Sequence, residues 1–150
     1  MATELAPMAA APVNLDEVKA FLRIDDTAED ALLAALVRSA SDLAEAFTGQ
    51  KLIVRDFVER IAATPCWTRL AVTPVVAITA GEGDDGALPV TGYEIDIDSA
   101  GDGWVRILAP AERPVRVHCR AGLAADWNGI PEALRLGIIR LVAHLYTHRD

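Results

Sequence analysis

Aromatic side chains are scarce in this chain: three Trp, three Phe and two Tyr amount to 5% of 150 residues. A core must therefore be built from aliphatic and small side chains. Cysteine is nearly absent, with Cys66 and Cys119 alone, which excludes a disulfide scaffold and reads as two semi-buried thiols in a reducing compartment. Basic residues are outnumbered, 14 Lys and Arg against 22 Asp and Glu, for a net charge of −8 and a pI near 4.8. Phosphate affinity comes from clustered cations, so a free-standing nucleic-acid binder is excluded, and any DNA would be confined instead of gripped. Long hydrophobic runs are missing too. Although 52% of residues are hydrophobic and the mean hydropathy is +0.24, no apolar stretch approaches the ~18 to 20 residues that span a bilayer, and a soluble protein is expected. The segment 1–12 has neither a basic start nor a long apolar stretch; it reads as a flexible lead, not a signal peptide.

What is present is helical periodicity at both ends. Asn14 is placed to cap a helix from Leu15 to about Arg23, with Glu17 at its third position and Val13 stapled to Val18. Val18, Phe21 and Leu22 form its expected buried face. Thr27 would cap a second helix running to about Thr48, with Leu32, Leu36, Ala40, Leu43 and Phe47 as the inward face and Gly49 as the stop. The last stretch, Ile130 to Asp150, places Leu134, Ile138, Leu141 and Leu145 on one line, and Leu136, Ile139, Val142, Ala143 and Tyr146 widen the apolar arc past half the circumference. Only Arg140, His144 and Thr147 form a polar strip. A helix apolar over so wide an arc must be enclosed by other elements or by another subunit, and it is the expected centre of the fold.

Between the helices the period changes to that of short strands punctuated by Pro and Gly. Strands are predicted near Leu52 to Ile61, Arg69 to Val72, Val75 to Ala80, Tyr93 to Asp98, Trp104 to Leu108 and Val115 to Arg120. Tyr93-Glu94-Ile95-Asp96-Ile97-Asp98 alternates apolar and acidic, which predicts one buried and one wet face. Turns are expected at 81–86 and at Gly101-Asp102-Gly103. The fold class is thus α+β: a small helical bundle of two N-terminal helices and a C-terminal helix, with an inserted antiparallel hairpin or sheet region. The expected organisation is a single domain over 1–150, comprising the lead at 1–12, helices at 13–50, a β-rich insertion at 51–120 and the central helix at 130–150.

Candidate chemistry is thin. Asp96-Ile97-Asp98-Ser99-Ala100-Gly101 resembles the opening of a calcium loop but carries Ala100 and Ile107 where that loop needs oxygen ligands. His144 and His148 have the spacing of two metal ligands, yet Leu145 stands where a zinc protease needs Glu. His118 and Cys119 are strand neighbours pointing to opposite faces. The glycines at 81, 83 and 86 come with Glu82, Asp84 and Asp85, which would repel a phosphate. No catalytic residue, cofactor site or metal site is assigned.

Four stretches carry a resemblance. The segment NLDEVKAFLRIDDTAEDALLAALVRSASDLAEAFTGQKL from Asn14, the Pro74-Val75-Val76-Ala77-Ile78 run with the Ala121-Gly122 step, and the closing IPEALRLGIIRLVAHLYTHRD occur in order. Together they are similar to the head–tail connector, or adaptor, family of long-tailed bacteriophages, which includes prophage and gene transfer agent versions. The region from about Ala62 to Pro114 matches only loosely. The resemblance implies a non-enzymatic structural protein that forms a ring, twelve-fold like the portal, in the neck of a particle assembled in the bacterial cytoplasm. Its implied partners are further copies of itself, the portal protein and a tail-side connector or stopper, with DNA passing through unbound and no membrane involved. It further implies contacts to a subunit or the portal through Ile139, Val142, Leu145, Tyr146, His148 and Arg149. The alternatives are a small acidic monomeric adaptor or regulator, and a metal-dependent enzyme built on His144 and His148.

Overall fold

The computed structural model describes residues 2–4, 13–109 and 114–148. Three helices flank a run of antiparallel strands, an α+β fold, and the chain divides into two compact units. The helical unit takes 10–53 and 123–150; the β unit takes 54–122 together with the N-terminal residues.

In the helical unit, α1 (Leu15–Leu22) starts at Asn14, whose side chain accepts from the backbone N–H of Asp16 at 2.9 Å. Val13 and Val18 are both buried, as a hydrophobic staple requires. Arg23 ends the helix in the left-handed region at φ 58, its N–H bonded back to Ala20 and Lys19 carbonyls. The second helix, α2 (Asp30–Thr48), begins two residues later than expected: its cap is Glu29, not Thr27, and no side chain caps it. Gly49 closes it at φ 70. The third, α3 (Glu132–Thr147), opens after Pro131, whose missing N–H leaves no broken bond there.

All three helices pack together, with α3 against both α1 and α2. Val18, Leu33, Val37, Ala40, Ile138, Ile139 and Val142 are buried in this unit. Two expectations about its faces fail. Leu32, Leu43 and Phe47 are 37%, 51% and 93% exposed, while Leu33, Val37, Ala40, Ser41 and Glu45 face inward, so the buried stripe of α2 lies to one side of the predicted one. Phe21 of α1 is likewise 49% exposed. The physical reason is that α2 has apolar residues on more than one face, and periodicity cannot rank two stripes that satisfy the same helical repeat. Of the line predicted to centre α3, only Ile138 is buried; Leu134, Leu141 and Leu145 are half-buried.

The β unit has its own core, so α3 is central to the helical unit alone. A five-stranded sheet runs in the order β1 (Ala2–Glu4), β2 (Arg55–Ile61), β8 (Val115–Ala121), β4 (Val75–Gly83), β5 (Gly86–Ala87). A three-stranded sheet has the order β3 (Thr68–Arg69), β7 (Gly103–Ile107), β6 (Tyr93–Ile97). Strands β2 and β8 pair in unbroken register from Arg55 with Ala121 to Ile61 with Val115, and alternate residues of each are buried. Phe57, Leu70, Val105, Ile107, Val115 and Val117 anchor the core.

The short strands β1 and β5 were not foreseen, and the run at 69–72 is a strand only over its first residue. Beyond it Leu70 donates to Gly103 at 2.8 Å, and Ala71 donates to the buried carboxylate of Glu59 at 2.8 and 3.0 Å. A side chain thus takes the place of a ladder partner. Strand β4 continues to Gly83, so the turn expected over 81–86 narrows to Asp84-Asp85 with Gly86 at φ 111. Strand β6 departs most from its pattern: Ile95 and Ile97, on the side meant to be buried, are 45% and 38% exposed.

Candidate interaction surface

The acidic hairpin that resembles a calcium loop is a self-satisfied turn. The Asp98 carboxylate accepts from the backbone of Ala100 at 2.9 Å, the backbone of Asp102 at 3.0 Å and the indole N–H of Trp104 at 3.0 Å. Asp102 is held by Arg69 at 2.7 Å and by the Thr73 hydroxyl at 3.1 Å. These donors hold both carboxyls below the ordinary aspartate range, the Trp104 bond leading for Asp98 and the Arg69 bond for Asp102. Gly101 takes φ +84 here, and a Cβ on it would stand 2.8 Å from Pro74 Cβ, so the turn needs glycine at that position.

His144 and His148 stack with ring centroids 4.3 Å apart, both exposed, and His148 Nδ1 lies against the carbonyl of His144 and the hydroxyl of Thr147. Among the described residues no three His, Cys, Asp or Glu side chains gather as a metal site requires. His118 and Cys119 do face opposite ways. His118 Nε2 sits 3.1 Å from Glu82 across the strands, and Cys119 is buried with its thiol pushed up to about 11, chiefly by desolvation and then by the nearby Glu59 and Asp56 carboxylates. Such a thiol stays protonated and inert. Among the described residues no helix is long and apolar enough to cross a membrane.

The surface of the helical unit is more informative. Of the residues expected to meet a subunit or the portal, Ile139 and Val142 are 8% and 0% exposed and belong to the unit's own core. Leu145 and Tyr146 are half-buried and His148 is exposed, so these three do come together as a partly accessible end of α3. Arg149 lies outside the described residues. Tyr146 is fixed where it stands, its hydroxyl donating to the Glu29 carboxylate at the start of α2. Lys19 of α1 bridges to Asp30 at 2.8 Å, and the buried Glu45 accepts from the backbone N–H of Leu52 at 2.9 Å while its other oxygen meets Lys51 at 3.1 Å. Leu123 and Ala124 donate to the carbonyls of Lys51 and Leu52. These polar ties clamp the ends of α2 and leave its outward side open.

That outward side carries Leu32, half-buried Leu36, Leu43 and Phe47. At 100° per residue they lie within about 60° of one another, apart from the buried stripe. The inward reading of the sequence passed over this surface. The signal that could have found it is the second apolar stripe, since α2 also carries Leu33 and Val37, and a three-helix unit can cover only one side.

Comparison with known proteins agrees with the α+β architecture. Residues 12–79 match the family described as phage gp6-like head-tail connector protein. No curated protein matches the chain in sequence. Among solved structures, a chain from the neck of an empty gene transfer agent particle computed with C6 symmetry superposes with a TM-score of 0.83 at 25% identity, covering 100% of this chain and 85% of that one. A chain from the virion of a native gene transfer agent particle gives 0.82 at 25% identity, covering 100% and 86%. A chain from the neck of a native particle, 22% identical, shares the fold with a TM-score of 0.81 over 100% of this chain and 85% of that one. The match to the phage gp6-like head-tail connector model over residues 12–79, together with the likeness of the whole chain to chains of gene transfer agent particles, supports a structural head–tail connector role.

Proposed function

We propose that the chain assembles into a ring beneath the portal of a phage-like particle and gives the tail its attachment surface, without catalysing a reaction. The observation that carries this reading is the superposition along its full length on a chain from a symmetric particle neck, at a TM-score of 0.83. A C6 arrangement of that neck is compatible with a ring of twelve under a twelve-fold portal. The exposed apolar surface of α2 and the half-buried flank of α3 supply what a subunit of an assembly needs and a monomer would hide. A net charge of −8 suits a channel through which DNA slides, because like charge suppresses adhesion. The partly accessible end of α3, with Leu145, Tyr146 and His148, is the segment proposed to meet the portal, together with Arg149 outside the described residues. Assembly would take place in the bacterial cytoplasm, with a tail-side stopper as the further partner.

Native mass spectrometry and electron microscopy of the purified chain, alone and with a portal, test the proposal. A closed ring of twelve is expected, stabilised by portal. A chain that stays monomeric at rising concentration and ignores portal would instead be a small acidic adaptor or regulator.

A further inference from the structure

The ring reading requires each copy to be covered on two flanks, and α2 carries an exposed apolar side that one of them would cover. Along its outward side Leu32, Leu36, Ser39 and Leu43 recur at intervals of four, three and four residues, with Ala46 and Phe47 completing the next turn. This is the seam spacing by which one helix receives another. It extends over about 22 Å of helix at 1.5 Å per residue. Phe47 is 93% exposed and Leu43 51%, while Ser39 and Ala46 are small and exposed, so the seam is a row of knobs with space between them. A lone exposed leucine needs no explanation, but a seam of this length does.

We infer that the outward seam of α2 receives a helix of the adjacent copy in the ring, namely the flank of α3 that carries Leu134, Leu141 and Leu145. This deepens the ring reading and rests on it. The flank matches the seam in chemistry and period: its leucines are spaced by seven and four, and all three are half-buried, so they retain surface after their own unit has folded. A ring closes only through contacts between two different patches, and α2 meeting α3 of the next copy is such a contact, whereas α2 meeting α2 would stop at a pair. The seam itself holds no charge. That favours an apolar helix over an acidic or basic partner surface.

The test uses the full chain with portal. Wild type should form rings; if it forms none, both the ring reading and this inference fall. With rings in hand, Phe47→Glu and Leu43→Glu should abolish them while leaving the melting temperature of the monomer unchanged, since both side chains are exposed. Phe47→Leu, and Arg38→Ala on the polar side of α2, should leave rings intact. Rings that persist in both glutamate variants overturn the inference and leave the ring reading standing. A photo-crosslinking amino acid at position 47 identifies the occupant: crosslinks to α3 of a neighbouring copy support the inference. Crosslinks only to portal or tail protein, only between two positions 47, or to nothing within assembled rings overturn it.

Discussion

Single buried polar residues do much to fix this chain, and they show how sharply side-chain identity matters. Glu45 lies in the interior of a helix, is 6% exposed, and caps the N–H of Leu52. Replacing it with Ala should strand that donor and destabilise the protein by about 1 to 3 kcal/mol, measured by urea unfolding. Glu59 plays the corresponding part for Ala71 in the β unit. The two cysteines should behave oppositely toward a thiol reagent at pH 8. Exposed Cys66 reacts in the native protein, whereas Cys119, buried and with its pKa near 11, reacts only after unfolding. Two fast-reacting thiols in the native state would contradict that placement. For Asp98, whose pKa is lowered in the fold, the stabilising effect of its bonds is present above the unfolded value of roughly 3.9 and is lost as pH falls through the lower folded value. The indole N–H resonance of Trp104 should therefore shift in acid, below about pH 4, and Asp98→Asn should abolish that titration.

At the scale of elements, what matters is which side of each helix is covered. Leu33 is fully buried and Leu43, ten residues on, is half in water. Leu33→Ala should cost about 2 to 5 kcal/mol, and Leu43→Ala should leave thermal stability almost unchanged. The same comparison runs along α3: Ile138→Ala should be costly and Leu141→Ala clearly milder, because Leu141 keeps part of its surface exposed. Equal losses at both positions would mean that the flank of α3 is core and has nothing to offer a neighbour. The element boundaries legible in the sequence were those set by local chemistry. Asn14, Gly49 and Pro131 mark ends because caps, positive φ and a missing donor act within a few residues. The start of α2 was misplaced at Thr27 because the cap there is a backbone turn without a side-chain bond, which leaves no residue signature.

At the scale of the whole molecule, the contact inferred for the ring is apolar, and that sets its response to salt. Electrostatic contacts weaken as the Debye length shrinks from about 10 Å at 0.1 M to about 3 Å at 1 M, and burial of leucine and phenylalanine does not. Ring assembly monitored by light scattering should therefore persist, or strengthen, across that range. Dissociation at high salt would point to a charged interface instead. The acidic balance acts in a different way, through the field a chain of DNA would meet.

The sequence by itself determined the number and order of the long helices and the change of period to strands between them. Each of these depends on spacing within one segment, where geometry is local. Only the tertiary structure decided which apolar stripe of α2 turned inward, that β6 kept Ile95 and Ile97 in water, and that Ile139 and Val142 served the core while Leu134, Leu141 and Leu145 stayed half open. Hydrophobic burial has no direction of its own. A helix with two greasy faces fits either way until its neighbours take one, and the face they leave is the one available to another chain.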